Sequence, residues 1–166
     1  MTAAALSQNV TAAAGASQSK PYSYRDDPDV PAFDDAQPIF IFDGFCVLCS
    51  SGVQWMIRRD PDGKTRFLAI QSPLARAIYA HYGLDPDHFD TFLLLKDGIA
   101  HAKWRGWIEA AKTMPAPWRL LGLTGSLAPR VIGDAVYDVI QTNRFNWFGT
   151  RRTCLAPDAA IKDRFL

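Results

Sequence analysis

The sequence predicts an α/β domain with a central four-stranded mixed sheet flanked by helices, with extra C-terminal helices. Three observations predict this class. Short apolar runs rich in β-formers alternate with helical patterns in the order β-α-β-α-β-β-α. Strand–helix–strand connections favour parallel neighbours with right-handed crossovers. The stretch Lys96-Asp97-Gly98 is a hairpin signal, which adds an antiparallel edge strand.

Each element follows from its own pattern and from the turn residues around it. Residues 60–63 read Asp-Pro-Asp-Gly, a turn that ends the first helix, and Pro115 and Pro117 break a later one. Pro73 suits the first position of a helix. The predicted strands are 39–42, 65–70, 91–95 and 99–103, and the predicted helices are 46–59, 72–82, 104–114, 118–123 and 129–143. This order is the layout of a thioredoxin-like domain.

Two sets of side chains divide the predicted helix at 129–143. The polar set is expected to face solvent: Arg130, Asp134, Asp138 and Gln141. The apolar set recurs at helical spacing and is expected to pack on the core: Ile132, Val136, Val139 and Ile140. Residues 145–154 are expected to form an aromatic and basic loop, pinned to the core by its aromatic side chains Phe145, Trp147 and Phe148.

The N-terminal part, residues 1–37, is predicted to be a disordered arm, and the folded domain is predicted to span residues 38–166. Ala, Ser, Gln and Thr dominate the first twenty positions, and five aspartates then stand among prolines. Such segments bury too little apolar surface to fold by themselves. We expect an inert linker, with folding on a partner as the alternative.

Composition and charge exclude several classes of protein. The formal net charge is +1, so no global field recruits nucleic acid or an acidic membrane. Three cysteines in 166 residues do not make a disulfide scaffold and fit a reducing, cytoplasmic compartment. We see no secretory signal and no apolar run near the roughly 20 residues of a membrane span. The Ala/Ser-rich start faintly resembles a transit peptide, but the first arginine is Arg25.

The most informative stretch is residues 42–49, Phe-Asp-Gly-Phe-Cys-Val-Leu-Cys, between a buried strand and a helix. Cys46 falls at the predicted helix start and Cys49 one turn later. A helix N-terminus favours an anion, and the thiolate is the reactive form of cysteine. We expect Cys46 to be the exposed nucleophile and Cys49 to be the core-facing thiol that resolves a mixed disulfide. The alternative is that both are small buried hydrophobes.

Asp43 and Cys154 each have two interpretations. The Asp43 carboxylate is expected first to form a turn or a cap by accepting N–H bonds. A compatible second role is a proton relay for Cys49, because a carboxylate near Cys46 would raise the pKa of that thiol. Cys154 is expected to be a lone thiol in a C-terminal loop, with exchange with the pair as the alternative.

With these residues in view, the sequence resembles the thiol-disulfide oxidoreductase DCC family, a thioredoxin-like group. Three stretches carry the resemblance: residues 42–49, residues 137–140 (Tyr-Asp-Val-Ile), and residues 143–149 (Asn-Arg-Phe-Asn-Trp-Phe-Gly) running on to 154–157 (Cys-Leu-Ala-Pro). The Asp and the two Cys of the name match Asp43, Cys46 and Cys49. The resemblance implies a thioredoxin-like fold and a dithiol–disulfide activity on a disulfide-containing protein or a small thiol, with no cofactor.

The sequence departs from better-known thioredoxin-like enzymes in two places. Those enzymes carry a cis proline just before the third strand, where this chain reads Phe-Asp-Thr-Phe at 89–92. The residues between the cysteines are the apolar Val47 and Leu48, and neither adds a positive charge that would lower the pKa of Cys46.

The residues disfavour three other functions, and they leave one alternative of a different class. Zinc could be held by the three cysteines with His81, His88 or His101, but a second CxxC or a His-x₃₋₅-His pair is missing. Ser50 rather than His follows Cys49, which disfavours haem attachment. Aromatic and basic residues interleave at 144–152, but a net charge near zero disfavours nucleic-acid binding. The alternative of a different class is a non-catalytic thioredoxin-like binding module with structural cysteines.

Overall fold

The fold is a four-stranded mixed sheet with helices packed on it, in a computed structural model that describes residues 20–89, 91–155 and 159–166. The strands are β1 (Ile39–Phe42), β2 (Arg66–Ala69), β3 (Leu93–Lys96) and β4 (Ile99–Ala102). Their order across the sheet is β2-β1-β3-β4. The α/β class and the thioredoxin-like layout predicted from the sequence are confirmed.

Strand directions follow the sequence prediction at both edges of the sheet and differ from it in the centre. β1 pairs with β2 in parallel, as a strand–helix–strand unit should, and β3 and β4 form the antiparallel hairpin. β3 is also antiparallel to β1. β2 and β3 are therefore antiparallel to each other, and the connection from β2 to β3 does not join parallel strands.

Five helices complete the fold: α1 (Val47–Arg59), α2 (Pro73–His81), α3 (Lys103–Thr113), α4 (Trp118–Gly125) and α5 (Arg130–Phe148). Side chains of α2 pack on one face of the sheet. The other face is covered by Met56 of α1, Ala110 of α3 and Tyr137 of α5. A short 3₁₀ helix, Ala159–Arg164, follows near the C-terminus. Within the part of the chain that the structure describes, no helix is long and apolar enough to cross a membrane.

Residues 20–37 pack against the domain, although the sequence analysis placed them in the disordered arm. A 3₁₀ helix, Ser23–Asp26, puts the Tyr24 ring into the core on the α2 face, where only 1% of that residue is exposed. The Tyr24 hydroxyl donates to Asp35 at 2.7 Å, and Arg25 also bonds Asp35. Composition missed this because two buried apolar residues, Tyr24 and Val30, are enough to anchor a polar segment. The rest of the predicted arm, residues 1–19, lies outside the described residues.

Helix α5 is longer than predicted, and the face that it packs on the core is not the predicted one. It runs to Phe148, so the first residues of the expected 145–154 loop are helical. Its buried residues are Gly133, Tyr137 and Arg144. The apolar stripe that was expected to pack is exposed: Ile132, Val136, Val139 and Ile140. The aromatic residues expected to be pinned to the core are exposed as well: Phe145, Trp147 and Phe148.

The inversion of α5 has a packing reason. Gly133 lies against the Trp104 ring of α3 so closely that a Cβ atom there would overlap the ring. Three of the four polar residues predicted to face solvent bond inward instead, and Arg130 is exposed as predicted. Asp138 pairs with Lys103 at 2.8 Å. The Gln141 amide donates to the Phe89 carbonyl at 3.1 Å.

Candidate active site

Cys46 is the N-cap residue of α1. β1 ends at Phe42, and the chain turns through residues 43–45 before the helix starts at Val47. Cys46 has an extended backbone, and its Sγ accepts the backbone N–H of Cys49 at 3.4 Å. The sulfur therefore takes the place that a hydroxyl or carboxylate oxygen takes in most helix caps. Position and spacing of the two cysteines agree with the sequence prediction.

The pKa values of the two thiols are shifted in opposite directions. A hydrogen bond from the Cys49 side chain is the main cause that lowers the pKa of Cys46 to about 6, and the Cys49 backbone N–H adds to it. The same hydrogen bond, together with burial, raises the pKa of Cys49 well above its ordinary value. These opposite shifts favour Cys46 over Cys49 as the thiol that ionises first.

Arg144, a buried cation from a distant part of the chain, also favours ionisation of the two cysteines. The positive charge of Arg144, on α5, lowers the pKa of both cysteines. Its guanidinium is held by the carbonyls of Gln141 and Phe89, each at 2.7 Å. The residues between the cysteines, Val47 and Leu48, carry no positive charge. Arg144 brings one from almost a hundred residues away along the chain.

Asp43 forms the turn that precedes the helix. Its Oδ1 accepts the backbone N–H of Phe45 at 2.9 Å, which is an Asx turn. The same oxygen accepts a bond from Gln71 Nε2 at 3.0 Å, and Gln71 Oε1 accepts the Gly44 N–H at 3.2 Å. The predicted turn is present, but the helix cap is Cys46 and not Asp43. Asp43 is buried, and its charge acts to raise the pKa of Cys46, against the other influences.

Cys46 is fully buried, whereas the sequence analysis expected it to be exposed. Residues 149–155, here called the cover segment, run beside residues 44–47 in a β-like pairing. Thr150 forms an antiparallel bridge with Cys46, and the Arg151 N–H donates to the Phe45 carbonyl at 2.7 Å. The exposed fraction of Cys46 is 0%, and Cys49 is partly exposed. The order of exposure was wrong because a C-terminal segment closes over the helix start.

The third cysteine lies on the turn of the candidate site. Cys154, in the cover segment, contacts Gly44 so closely that a Cβ atom at position 44 would overlap its sulfur. The Cys154 thiol also lies 3.7 Å from Gln71 Oε1. Burial raises the pKa of Cys154, and the charge of Asp43 adds to this rise. Cys154 is thus a weaker nucleophile than Cys46 at neutral pH.

A cleft of about 770 Å³ opens beside the site. Asp43, Phe45 and Thr150 line the cleft, and so do Arg144 and Phe89. Neither Cys46 nor Cys49 is among the lining residues of the cleft. Its volume is in the range of small-molecule sites.

Comparison with known proteins places this chain in a family. The family model described as DCC1-like thiol-disulfide oxidoreductase matches residues 40–150. The chain belongs to this family. The uncharacterized protein YuxK of Bacillus subtilis is 38% identical over 128 residues, which cover 77% of this chain and 93% of YuxK. A DCC family protein of Arabidopsis thaliana, named as chloroplastic, is 28% identical over 121 residues, which cover 73% of this chain and 70% of that protein. No solved structure gives a match.

In this DCC1-like chain, sequence reasoning found the local part of the site and missed the rest. Cys46, Cys49 and Asp43 lie together, as their spacing predicted. Gln71 gave no signal before the structure placed it against Asp43. Arg144 did lie in a stretch that carries the family resemblance, and that was the available signal for it.

The histidines weighed for a zinc site lie elsewhere in this DCC1-like protein. His81 bonds Asp27 at 2.6 Å, and His88 bonds Asp85 at 2.8 Å. His101 is buried on β4. The described ranges 20–89, 91–155 and 159–166 contain no cluster of three or more His, Cys, Asp or Glu side chains that could hold a metal ion.

Proposed function

We propose that this DCC1-like protein is a thiol-disulfide oxidoreductase in which Cys46 is the nucleophile and Cys49 the resolving thiol. The observation that carries the proposal is the split acidity of the pair. Cys46 is the thiolate at neutral pH because its pKa is about 6, while the pKa of Cys49 lies far above the ordinary value. Two adjacent thiols with one shared proton are the state that attacks a disulfide.

The reduction of a substrate disulfide takes two exchanges. In the first, the Cys46 thiolate attacks one sulfur of the substrate, the substrate S–S bond breaks, and the leaving sulfur takes a proton. In the second, Cys49 loses its proton and attacks Cys46 Sγ, which forms the Cys46–Cys49 disulfide and releases the other substrate sulfur as a thiol. The substrate gains two electrons and the pair loses two. The reverse sequence oxidises a dithiol.

Asp43 has a proposed second role as the proton acceptor for Cys49. The high pKa of Cys49 means that this thiol needs a base before it can resolve the mixed disulfide. Asp43 is buried, and its charge raises the pKa of Cys49, so the two groups interact electrostatically. The two hydrogen bonds of the turn go to Oδ1, which leaves Oδ2 as the oxygen for the relay.

The alternative is a non-catalytic thioredoxin-like binding module with structural cysteines. The burial of Cys46 favours it, because a thiolate with 0% exposed surface cannot meet a substrate sulfur until the cover segment moves. Under the redox proposal, the cover segment opens and the adjoining cleft admits the substrate.

The test is the redox potential of the pair. The full chain carrying Cys154→Ser is equilibrated in glutathione and dithiothreitol buffers of graded potential, and free thiols are counted by mass after alkylation in denaturant. We expect a reversible two-electron couple between roughly −120 and −270 mV. Cys46→Ser in the same background is the control and should show no couple. If no buffer forms the disulfide, or if the pair binds zinc instead, the module is the correct assignment.

Substrate and location are part of the same proposal. The substrate class is a disulfide-containing protein or a small thiol, and no cofactor is needed because the electrons stay on sulfur. Three cysteines in 166 residues are too few for a disulfide scaffold, which fits a compartment that keeps thiols reduced, and we assign the cytoplasm.

A further inference from the structure

Gln71 joins the end of β2 to the turn that carries Asp43. β1 and β2 are parallel and Phe42 pairs with Ala69, so the residues that follow the two strands meet at one edge of the sheet. The Ile70 N–H donates to the Phe42 carbonyl at 2.9 Å, and Gln71 comes next in the chain. Backbone pairing of the two strands therefore fixes where Gln71 lies relative to Asp43.

The Gln71 amide has one orientation that satisfies its partners. Its Oε1 accepts the Gly44 N–H at 3.2 Å, and only the oxygen of an amide can accept that bond. Its Nε2 then faces the Asp43 carboxylate and donates to Oδ1 at 3.0 Å. Oδ1 also accepts the Phe45 N–H at 2.9 Å. Two donors thus hold one oxygen of the carboxylate, which fixes the direction of the other oxygen, Oδ2.

We propose that Gln71 is a positioning residue that keeps Asp43 in the orientation in which it takes the proton of Cys49. This inference rests on the proposed function, because it concerns the second exchange, in which Cys49 resolves the mixed disulfide on Cys46. The Cys49 thiol gives its proton to Oδ2, its sulfur bonds to Cys46 Sγ, and the substrate sulfur leaves with the electron pair of the broken bond. A carboxylate that is not held would lose this alignment for part of the time.

The proton has a way out beside the same amide. Asp43 and Gln71 both line the cleft described above. After the exchange, the proton on Asp43 passes to solvent in the cleft, and the carboxylate is ready for the next turnover.

The Gln71 amide also contacts the cover segment, yet its hold on Asp43 does not depend on that segment. Cys154 Sγ lies 3.7 Å from Oε1, and a thiol is a weak donor. The Gly44 N–H belongs to the turn itself and stays when the cover segment moves. The amide therefore keeps its orientation in the open state, in which a mixed disulfide is resolved.

The competing interpretation is that Gln71 only stabilises the turn. Asp43 is 6% exposed, and a buried carboxylate needs hydrogen-bond donors whatever its role. Both interpretations predict lower stability when the amide is lost. The positioning role alone predicts a change in the rate and the pH profile of the step in which Cys49 loses its proton.

The test isolates that step in the full chain carrying Cys154→Ser, here called the parent. The reduced parent reacts with the aromatic disulfide dithiobis(nitrobenzoate) at about pH 4, where the Cys49 thiol keeps its proton, and excess reagent is removed. Cys46 then carries a thionitrobenzoate group, which has no room under the closed cover segment because Cys46 is 0% exposed. A jump to graded pH starts resolution, and the absorbance of released thionitrobenzoate reports this step without the opening step.

Variants at Gln71 give the comparison. Gln71→Met keeps the volume of the side chain without its amide bonds, and resolution at neutral pH should slow about tenfold. Its rate should rise with pH over the whole range, because Cys49 then ionises unaided, whereas the parent rate should level off once the base is charged. Gln71→Glu puts a second carboxylate beside Asp43, and two carboxylates in one site hold a proton to higher pH, so its profile should move to higher pH.

Three controls frame these effects. Asp43→Asn removes the base and should slow resolution about a hundredfold, which is the largest effect expected for loss of its alignment. Gln54→Met makes the same change at an exposed position of α1 and should leave the rate within about twofold. Cys49→Ser should release no thionitrobenzoate after the jump. Circular dichroism of each variant checks that the fold is retained.

Two results would overturn the positioning role. The first is a Gln71→Met chain that resolves at the parent rate with the parent pH profile. The second, which decides the matter if Gln71→Met does not fold, is a Gln71→Glu profile that superimposes on the parent profile. A parent that forms the mixed disulfide and never releases thionitrobenzoate gives a different answer, because it refutes the proposed function and this inference with it.

Discussion

Replacing Cys49 with alanine should raise the pKa of the Cys46 thiol from about 6 to between about 7 and 8. The Cys49 side chain donates the hydrogen bond that contributes most to the low pKa of Cys46. A hydrogen bond to a charged group is worth about 1.5–3 kcal/mol, and one pH unit corresponds to about 1.36 kcal/mol. Removing the donor therefore raises the pKa by about one to two pH units. The thiolate fraction at pH 7 falls from about nine-tenths to between about a half and a tenth.

The assay is a pH titration of the ultraviolet absorbance of the thiolate, in a Cys154→Ser background. Absorbance is the right signal because alkylation rates would mix ionisation with opening of the cover segment. Cys49→Ser is the matched control: its hydroxyl keeps a donor, so the pKa should rise less than in Cys49→Ala. A pKa that stays near 6 in Cys49→Ala would refute the reasoning and assign the low value to Arg144 and the helix N-terminus.

Three further predictions concern stability. The folded-state pKa of Cys46 is depressed, so its stabilisation is present above the unfolded pKa of about 8.5 and is lost as pH falls through about 6. Relative to Cys46→Ser, the unfolding free energy of the reduced chain should thus rise by about 3 kcal/mol across that range, as urea titrations would measure. Gly133→Ala should destabilise the protein by about 1–3 kcal/mol in urea unfolding, because the methyl overlaps Trp104, whereas exposed Ala135→Gly should cost only about 1 kcal/mol. Tyr137→Phe should lower the thermal midpoint, at a cost of about 1–3 kcal/mol, because a buried N–H before β3 loses its acceptor; an unchanged midpoint would mean that water replaces the hydroxyl.

The strands, the hairpin and most helix boundaries could be predicted because their signals are local. The apolar run at 39–42 became β1, and the Asp-Gly turn after Lys96 became the hairpin between β3 and β4. Ser72 caps α2 by accepting the Ala75 N–H, which is again a contact three residues away. Signals of this range lie within any short window of sequence.

Which face of α5 packs on the core could not be predicted. Periodicity shows that Ile132, Val136 and Val139 share one side of a helix, but it does not show which side the sheet occupies. The choice was made by Gly133, whose missing side chain admits the Trp104 ring. A helix whose apolar stripe faces solvent satisfies the sequence pattern as well as a buried one does.

The candidate site divides in the same way. Asp43, Cys46 and Cys49 lie within seven residues, so turn and helix rules bring them together. Gln71 and Arg144 reach the site through the sheet and through α5, and a single sequence gives no measure of contacts over such separations. The burial of Cys46 was missed for the same reason, because the segment that covers it follows a hundred residues later.

The cover segment behaves as a strand tethered beside Cys46. Its backbone N–H groups at Arg151 and Leu155 donate to the carbonyls of Phe45 and Gly44. Its Gly149 carbonyl accepts the Val47 N–H. An extended peptide that added itself to this edge would pair with the same backbone groups. Because the segment is tied to α5, it competes at an effective concentration of the order of millimolar. Under the redox proposal, the reactivity of Cys46 toward a peptide disulfide depends on this strand exchange as well as on the acidity of the sulfur.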